Sequence, residues 1–117
     1  MTIQELDNKY YFHDSMITNI SYSPDTETLV VLMEFCNWAQ DGYTDDEPEL
    51  LVLKLTFEGI SDYNGITGDI NYFSILDGDI VDDKYHLLIE DDFNQAFYEY
   101  YLDPTNIQVE IVGVAED

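Results

Sequence analysis

Alternating hydrophobic and polar positions recur along the chain and predict β-strands. The clearest case is Leu51–Glu58, in which every second residue from Leu51 to Phe57 is leucine or phenylalanine and the residues between are mostly polar. A period of two is typical of a strand with one buried face. We therefore expect a half-buried strand here that ends at Gly59.

Two earlier segments predict a β-hairpin. Met16–Tyr22 alternates loosely, Ser23–Thr26 is a typical turn sequence, and Thr28–Asn37 follows with many β-branched and aromatic residues. Because Thr28–Asn37 is apolar at both odd and even positions, it predicts a strand buried on both faces. Such a strand lies centrally in a sheet or sandwich.

The second half of the chain predicts further short strands. Ile70–Leu76 and Tyr85–Ile89 are rich in strand-forming residues, with Asp77-Gly78 between them as a turn dipeptide. The remaining stretch, Asp79–Lys84, is acidic, and we expect it to be exposed.

Asp92–Tyr101 fits two structures. Its aromatic residues have helical spacing behind Asp92 as a cap, which allows a short helix near residues 92–101. Phe97–Leu102 also fits a strand, and Asp103–Asn106 is a good turn before an alternating strand at Ile107–Val114. We favour the second alternative, in which these two strands form a hairpin.

The pattern as a whole predicts a mainly β protein. Six or seven strands joined by short turns favour an antiparallel β-sandwich or a partly open barrel. The chain has no linker, internal repeat or low-complexity tract, and its 117 residues match the usual size of one domain. We expect residues 1–117 to form a single acidic β-rich domain.

Charge is the most unusual property of the chain. It has 26 acidic residues and only three Lys or Arg, which gives a formal net charge of −23. Phosphates would be repelled, so nucleic acid and anionic membranes are not expected as direct partners. A basic protein is the natural partner, with an attraction that salt weakens. The sequence leaves the oligomeric state open.

The single cysteine and the absence of long apolar segments point to the cytoplasm. Cys36 has no second cysteine for an internal disulfide, and its apolar neighbours predict a buried, unreactive thiol. Met1–Phe12 does not resemble a signal peptide, and the apolar run Leu29–Met33 is too short to span a bilayer.

The motifs with chemical potential predict structural roles. His13-Asp14-Ser15 holds the residue types of a hydrolytic triad, but three consecutive side chains point in different directions, and no nucleophile-elbow sequence is present. We expect this segment to turn the chain into the first strand. With no Gly-rich phosphate loop and almost no cations to stabilise an oxyanion, we predict that the protein is not an enzyme.

Metal ligation is not expected either. His86 lies within a predicted strand and has no further ligands at suitable spacing. The acidic residues around Gly78 lack the calcium-loop pattern and are more typical of a solvated turn. We therefore predict no metal and no cofactor.

Two acidic segments are candidate protein-binding sites. Carboxylates interleaved with aromatic residues suit an interface with a basic surface, because aromatic side chains anchor the contact while the charges steer and select the partner. An ordinary polar loop whose tryptophan folds back on the core is the alternative. The candidate residues are Trp38, Asp41, Tyr43, Asp45, Asp46, Glu47 and Glu49 in the first segment, and Glu90, Asp91 and Asp92 in the second.

The opening of the chain resembles certain small acidic bacterial β-rich proteins. In those families an HDS-x-[IL] segment leads into the first hairpin, as His13–Ile17 does here before the strand at Thr28–Phe35. Some of them are grouped with the immunity proteins of polymorphic toxin systems. The resemblance covers about the first third of the chain. It implies an all-β domain that neutralises a partner, and it implies no catalytic residue.

These observations lead to four hypotheses on function. The first is a binding protein that neutralises a basic protein, such as an immunity protein that masks a cationic toxin domain. The second is a nucleic-acid mimic that inhibits a DNA-binding defence protein, which requires carboxylates spaced like phosphates. The third is a housekeeping domain whose acidity serves solubility or a saline habitat. The last is an enzyme that uses a carboxylate pair.

Overall fold

Seven antiparallel strands form one sheet in the computed structural model, which describes residues 1–115. The strands are β1 (Met16–Ser23), β2 (Thr28–Cys36), β3 (Leu50–Glu58), β4 (Gly68–Val81), β5 (Lys84–Asp91), β6 (Ala96–Leu102) and β7 (Asn106–Val114). Their order across the sheet is β6-β5-β4-β1-β2-β3-β7. The sheet is open, because β6 and β7 lie at its two edges. The prediction of a mainly β, antiparallel fold is confirmed.

The sheet curls so that one of its faces encloses the core. Leu53, Leu55 and Phe57 on β3 are buried, as are Tyr85 and Ile89 on β5. The rings of Phe57 and Tyr85 lie 6.1 Å apart, although three other strands separate β3 from β5 in the sheet. One side of the sheet thus packs over the other, as in a sandwich.

The first hairpin and the strand after it are confirmed. β1 pairs with β2 from Met16–Glu34 to Ser23–Thr28, and β3 begins at Leu50. The prediction that β2 is buried on both faces was wrong. Its core face is buried, but Val30 and Leu32 on the other face are half-buried, because only the concave side of a single curled sheet is covered.

β4 corrects the prediction of a turn at Asp77-Gly78. The strand runs through this dipeptide, and the register with β5 shifts between Ile75 and Asp77, which marks a β-bulge. The turn lies instead at Asp82-Asp83, where both residues have positive φ. Asp79–Val81 is therefore part of a strand. The expected exposure of Asp79–Lys84 is confirmed at Asp79, Asp82, Asp83 and Lys84, whereas Ile80 and Val81 are half-buried.

Residues 92–95 form a turn and Ala96–Leu102 a strand, so the alternative of a helix near residues 92–101 was wrong. β6 forms a hairpin with β5, from Asp91–Ala96 to Tyr85–Leu102. The predicted hairpin between β6 and β7 was also wrong. β7 crosses the molecule to pair with β3, whose Phe57 lies opposite Ile107. The alternating pattern identified both strands but carried no information on which strands pair.

A short helix that the sequence analysis did not predict precedes the sheet. It is α1 (Ile3–Lys9), and it begins with a capping box in which Thr2 Oγ1 accepts from Glu5 N–H at 3.2 Å and Glu5 Oε1 accepts from Thr2 N–H at 2.9 Å. Leu6 is its only buried residue. Among residues 1–115, no helix is long and apolar enough to cross a membrane.

Candidate binding surface

The acidic loop between β2 and β3, residues 37–49, is closed at its base by hydrogen bonds. Trp38 N–H donates to Glu49 O at 3.1 Å, and Asn37 Nδ2 donates to Pro48 O at 2.8 Å. A single turn of 3₁₀-helix (Asn37–Ala39) leads into the loop. The chain therefore enters and leaves the loop at a fixed separation, which sets the position of the side chains between.

Gln40 fastens the same loop to the segment that precedes β1. Its Nε2 donates to Tyr11 O at 2.7 Å and to Cys36 O at 2.8 Å, and its Oε1 accepts from Tyr11 N–H at 2.8 Å. These bonds leave the Tyr11 side chain exposed beside the loop. The loop is thus held in one position on the surface by these hydrogen bonds.

Some carboxylates of the loop hold its own turn. Glu47 Oε1 accepts from both Thr44 N–H and Thr44 Oγ1 at 3.1 Å, and Thr44 Oγ1 also donates to Asp46. The hydrogen bond from Thr44 lowers the pKa of Asp46. Burial, followed by the charges of neighbouring carboxylates, raises the pKa of Tyr43. Asp46 and Glu47 therefore stabilise the loop in addition to contributing charge.

The remaining predicted residues of this loop face solvent. Trp38 is 50% exposed, so it does not fold back into the core. The carboxylates of Asp41, Asp45 and Glu49 are exposed, and within residues 1–115 they accept no hydrogen bond. An exposed indole beside carboxylates with no internal partner can contact another protein without first breaking bonds within this one.

A groove of about 410 Å³ extends this surface toward α1. Its lining includes Asp41 from the loop, Asp7 from the helix and Tyr11 from the connection, with Lys9 as its cation. The sequence analysis missed Asp7 and Tyr11, because they lie about thirty positions from the loop. The signal for Asp7 would have been the polar face of α1, which can be considered only after the helix itself is predicted.

The second predicted segment has a different role. Asp91 is 3% exposed, and it accepts hydrogen bonds from Phe93 N–H, Asn94 N–H and Asn94 Nδ2 at 2.7–3.1 Å. The bond from the Asn94 side chain is the largest cause of the lowered pKa of Asp91. Asp92 accepts from Ser74 Oγ, and Glu90 is half-buried. Asp91 shapes the β5–β6 turn and offers no exposed charge.

The structure does not join the two predicted segments. β2 and β5 run in opposite directions, because β1 and β4 lie between them in an antiparallel sheet. The loop after β2 and the turn after β5 therefore leave their strands in opposite directions, and within residues 1–115 no hydrogen bond joins the two segments.

His86 is held between two carboxylates on the convex face. Its Nδ1 lies 2.7 Å from Asp79 Oδ1 on β4, and its Nε2 lies 2.6 Å from Glu99 Oε2 on β6. The ring of Tyr101 covers it at 4.9 Å between centroids. Burial lowers the pKa of His86, but the hydrogen bonds to Asp79 and Glu99 outweigh burial and raise it. The trio links three neighbouring strands.

The His13-Asp14-Ser15 segment turns the chain as predicted. Asp14 has positive φ, Ser15 Oγ accepts from Cys36 N–H at 3.1 Å, and His13 Nδ1 lies 2.6 Å from Leu76 O. Ser15 and His13 thus bond to different strands and not to each other. Cys36 is buried, and burial raises the pKa of its thiol. Residues 1–115 contain no group of side chains that could hold a metal ion.

Comparisons with protein-family models, with curated proteins and with solved structures find no match to this chain. Any statement on function therefore depends on the geometry and charge of its own surface.

Proposed function

We propose that this protein is a non-catalytic binding protein that neutralises a basic protein by covering its cationic surface. The proposed partner is a toxin domain that uses Lys and Arg to hold phosphate. This chain would then be an immunity protein. One observation carries the proposal. The acidic loop is fastened at its base and presents half-exposed Trp38 beside carboxylates that have no internal partner.

The charge of the whole molecule supports the same function. Only Lys9, Lys54 and Lys84 oppose the acidic residues, and within residues 1–115 the ion pairs involve histidine alone. No lysine therefore neutralises a carboxylate in a close ion pair within residues 1–115, and the negative field of the surface is left for an incoming cationic surface. Such a field accelerates association with a basic partner, and the acceleration falls as salt screens it.

Affinity capture from the source cells tests the proposal. With the protein immobilised at about 50 mM salt and washed stepwise to about 0.5 M, we expect a basic protein to be retained and then released, since the Debye length shrinks several-fold over this range. Mass spectrometry would identify it. Retention of acidic or neutral proteins only, or binding that salt does not weaken, contradicts the proposal.

Variants localise the contact on the acidic loop. D41N/D45N/E49Q removes three charges that hold no internal bond, and W38A removes the anchor. Both should weaken binding of the captured partner. D25N/E27Q/E110Q removes the same number of charges from remote exposed positions and serves as the control. An equal loss in both charge variants would show that net charge, and not the loop, determines binding.

A further inference from the structure

The two edges of the sheet differ in how their main chain is protected. On β7, Ile107 N–H donates to Met1 O at 3.1 Å, and the Met1 amino group donates to Ile107 O at 2.7 Å. The pairing of β7 with β3 also contains a register shift next to Leu53. A covering segment and a bulge are both known means of preventing another strand from adding to an edge.

The other edge, β6, has neither form of protection. Its register with β5 runs unbroken over Ala96–Leu102, so the strand is regular along its whole length. Within residues 1–115, the main chain of β6 forms hydrogen bonds with no segment other than β5. Alternate N–H and C=O groups along its outer edge therefore point away from the sheet, available to an added strand.

An open groove of about 680 Å³ runs beside this edge, between β6 and the loop of residues 59–65. The loop is fixed in place, because Ile66 N–H donates to Tyr100 Oη at 3.1 Å and Tyr63 Oη donates to Ile66 O at 2.6 Å. It packs on the core-facing ring of Tyr100 and, within residues 1–115, forms no backbone hydrogen bond with β6. Asp62 and Asp103 line the groove, together with Lys84 as its one cation.

The convex face of β6 carries apolar and acidic side chains in alternation. Phe97 is 61% exposed and Tyr101 is 48% exposed, with the carboxylate of Glu99 between them. A strand added at this edge would place its own side chains beside these residues at the same spacing of two. Apolar residues of the added strand would then contact the aromatic rings, and a cationic residue would face Glu99.

We propose that β6 accepts an extended, Lys- or Arg-containing segment of a partner protein as an additional strand. The partner's positive charge rests on the proposed function, but the surface is separate from the acidic loop. Charge decides between possible occupants. A second copy of this chain would bring another 23 negative charges to the same edge, whereas a cationic segment complements Asp62, Glu99 and Asp103.

A synthetic peptide with the sequence Val-Lys-Lys-Lys-Val tests this proposal by NMR on the ¹⁵N-labelled chain, because as a strand it carries valine, lysine and valine on one face and lysines on the other. We expect chemical-shift changes and slowed amide exchange at alternate residues of β6. A matched peptide, N-methylated at every second residue, keeps the charge but cannot complete the ladder, and it should bind at least about tenfold more weakly. Equal binding of both peptides would overturn strand addition.

Charge variants provide the second arm of the experiment. D62N/D103N should weaken peptide binding about tenfold, since two attractive pairs are lost, whereas D25N/E110Q at remote positions should change it less than twofold. Perturbation confined to the acidic loop and Trp38 would overturn the β6 proposal while leaving the proposed function intact. Dimers of the unliganded chain in light scattering would show that the edge binds a second copy instead.

Discussion

At the scale of single residues, positions with special backbone or packing demands hold the turns in place. Gly59 ends β3 with φ +80°, and a Cβ there would lie 2.5 Å from Thr105 Oγ1 and 3.0 Å from Thr105 Cβ. Thr105 cannot retreat easily, because its N–H donates to Glu58 O at 2.8 Å. Gly42 in the acidic loop has nearly the same φ, +82°, but open space around it.

Alanine substitutions at these two glycines can be compared to isolate the effect of the clash, because the backbone strain is about the same at both positions. Both Gly59→Ala and Gly42→Ala force alanine into the left-handed region, at about 1 kcal/mol each. Only Gly59→Ala adds the clash with Thr105, so it should lower the free energy of unfolding by about 1–3 kcal/mol more. Urea denaturation of both variants measures the difference. Equal losses would mean that Thr105, between β6 and β7, moves aside for the new methyl group.

His86 makes the stability of the sheet depend on pH. Because the pKa of His86 is raised in the folded protein, its contribution is fully present below the ordinary histidine pKa of about 6.5. The contribution is lost as pH rises through the higher folded value. We expect the urea midpoint to fall as pH rises from neutral to mildly alkaline. The loss of stability should be largest in β6, because the contact between His86 and Glu99 holds β6 to β5.

His86→Gln should remove most of this pH dependence, since glutamine does not titrate. His13→Gln replaces the other histidine, whose side chain is 43% exposed, and should leave the dependence in place. Parallel denaturation curves across the same pH range compare the two variants. A slope that persists in His86→Gln would assign the dependence to another group.

At the scale of elements, periodicity predicted strands well and pairing poorly. Leu51–Glu58 was read correctly because one face is buried and the other is not. β6 and β7 were both found, yet they do not pair with each other as predicted: β6 pairs with β5 and β7 with β3, since a period of two says nothing about neighbours in the sheet. α1 was missed because a helix of seven residues with one buried side chain leaves almost no hydrophobic pattern.

The candidate site was predictable to a similar degree. Composition and spacing identified the acidic loop but left open whether Trp38 is exposed or folds back on the core, and the structure shows it exposed. They could not reveal that Asp91 is buried, because the hydrogen bonds that hold it come from a turn whose geometry is set only in the folded chain. They also could not place Asp7 in the same groove as Asp41, since that arrangement depends on the docking of α1.

The β4–β5 turn offers a prediction at this scale. Asp82 and Asp83 have φ of 52° and 64°, the pattern of a type I′ turn, for which Asn-Gly is the preferred pair. D82N/D83G should therefore raise the free energy of unfolding by about 1 kcal/mol. D82A/D83A removes the same charges but tolerates positive φ poorly, so it should be less stable than D82N/D83G. Thermal denaturation ranks them, and equal stabilities would attribute any gain to charge.

At the scale of the whole molecule, repulsion among carboxylates opposes a compact state. The net charge of −23 lies on a curled sheet whose principal dimensions are 41 × 32 × 25 Å. Many carboxylates must therefore lie within a Debye length of one another at low salt. The hydrophobic core enclosed by the curl has to outweigh this repulsion.

Salt should therefore stabilise the isolated protein while weakening its complex with a basic partner. We expect the melting temperature to rise as sodium chloride increases from about 10 mM to about 0.5 M, because the Debye length falls from about 30 Å to a few ångströms. Differential scanning calorimetry measures the change. A melting temperature that does not vary with salt would show that the surface charges are already well separated.

The shielded thiol of Cys36 has a practical consequence. It is the only cysteine, it sits where β2 passes into the acidic loop, and its main-chain N–H is held by Ser15 Oγ. A thiol reagent can reach it only when this end of the strand opens, so its labelling rate reports the frequency of that opening. A ligand bound to the loop should slow the labelling. The labelling rate of Cys36 would then report ligand binding without an engineered probe.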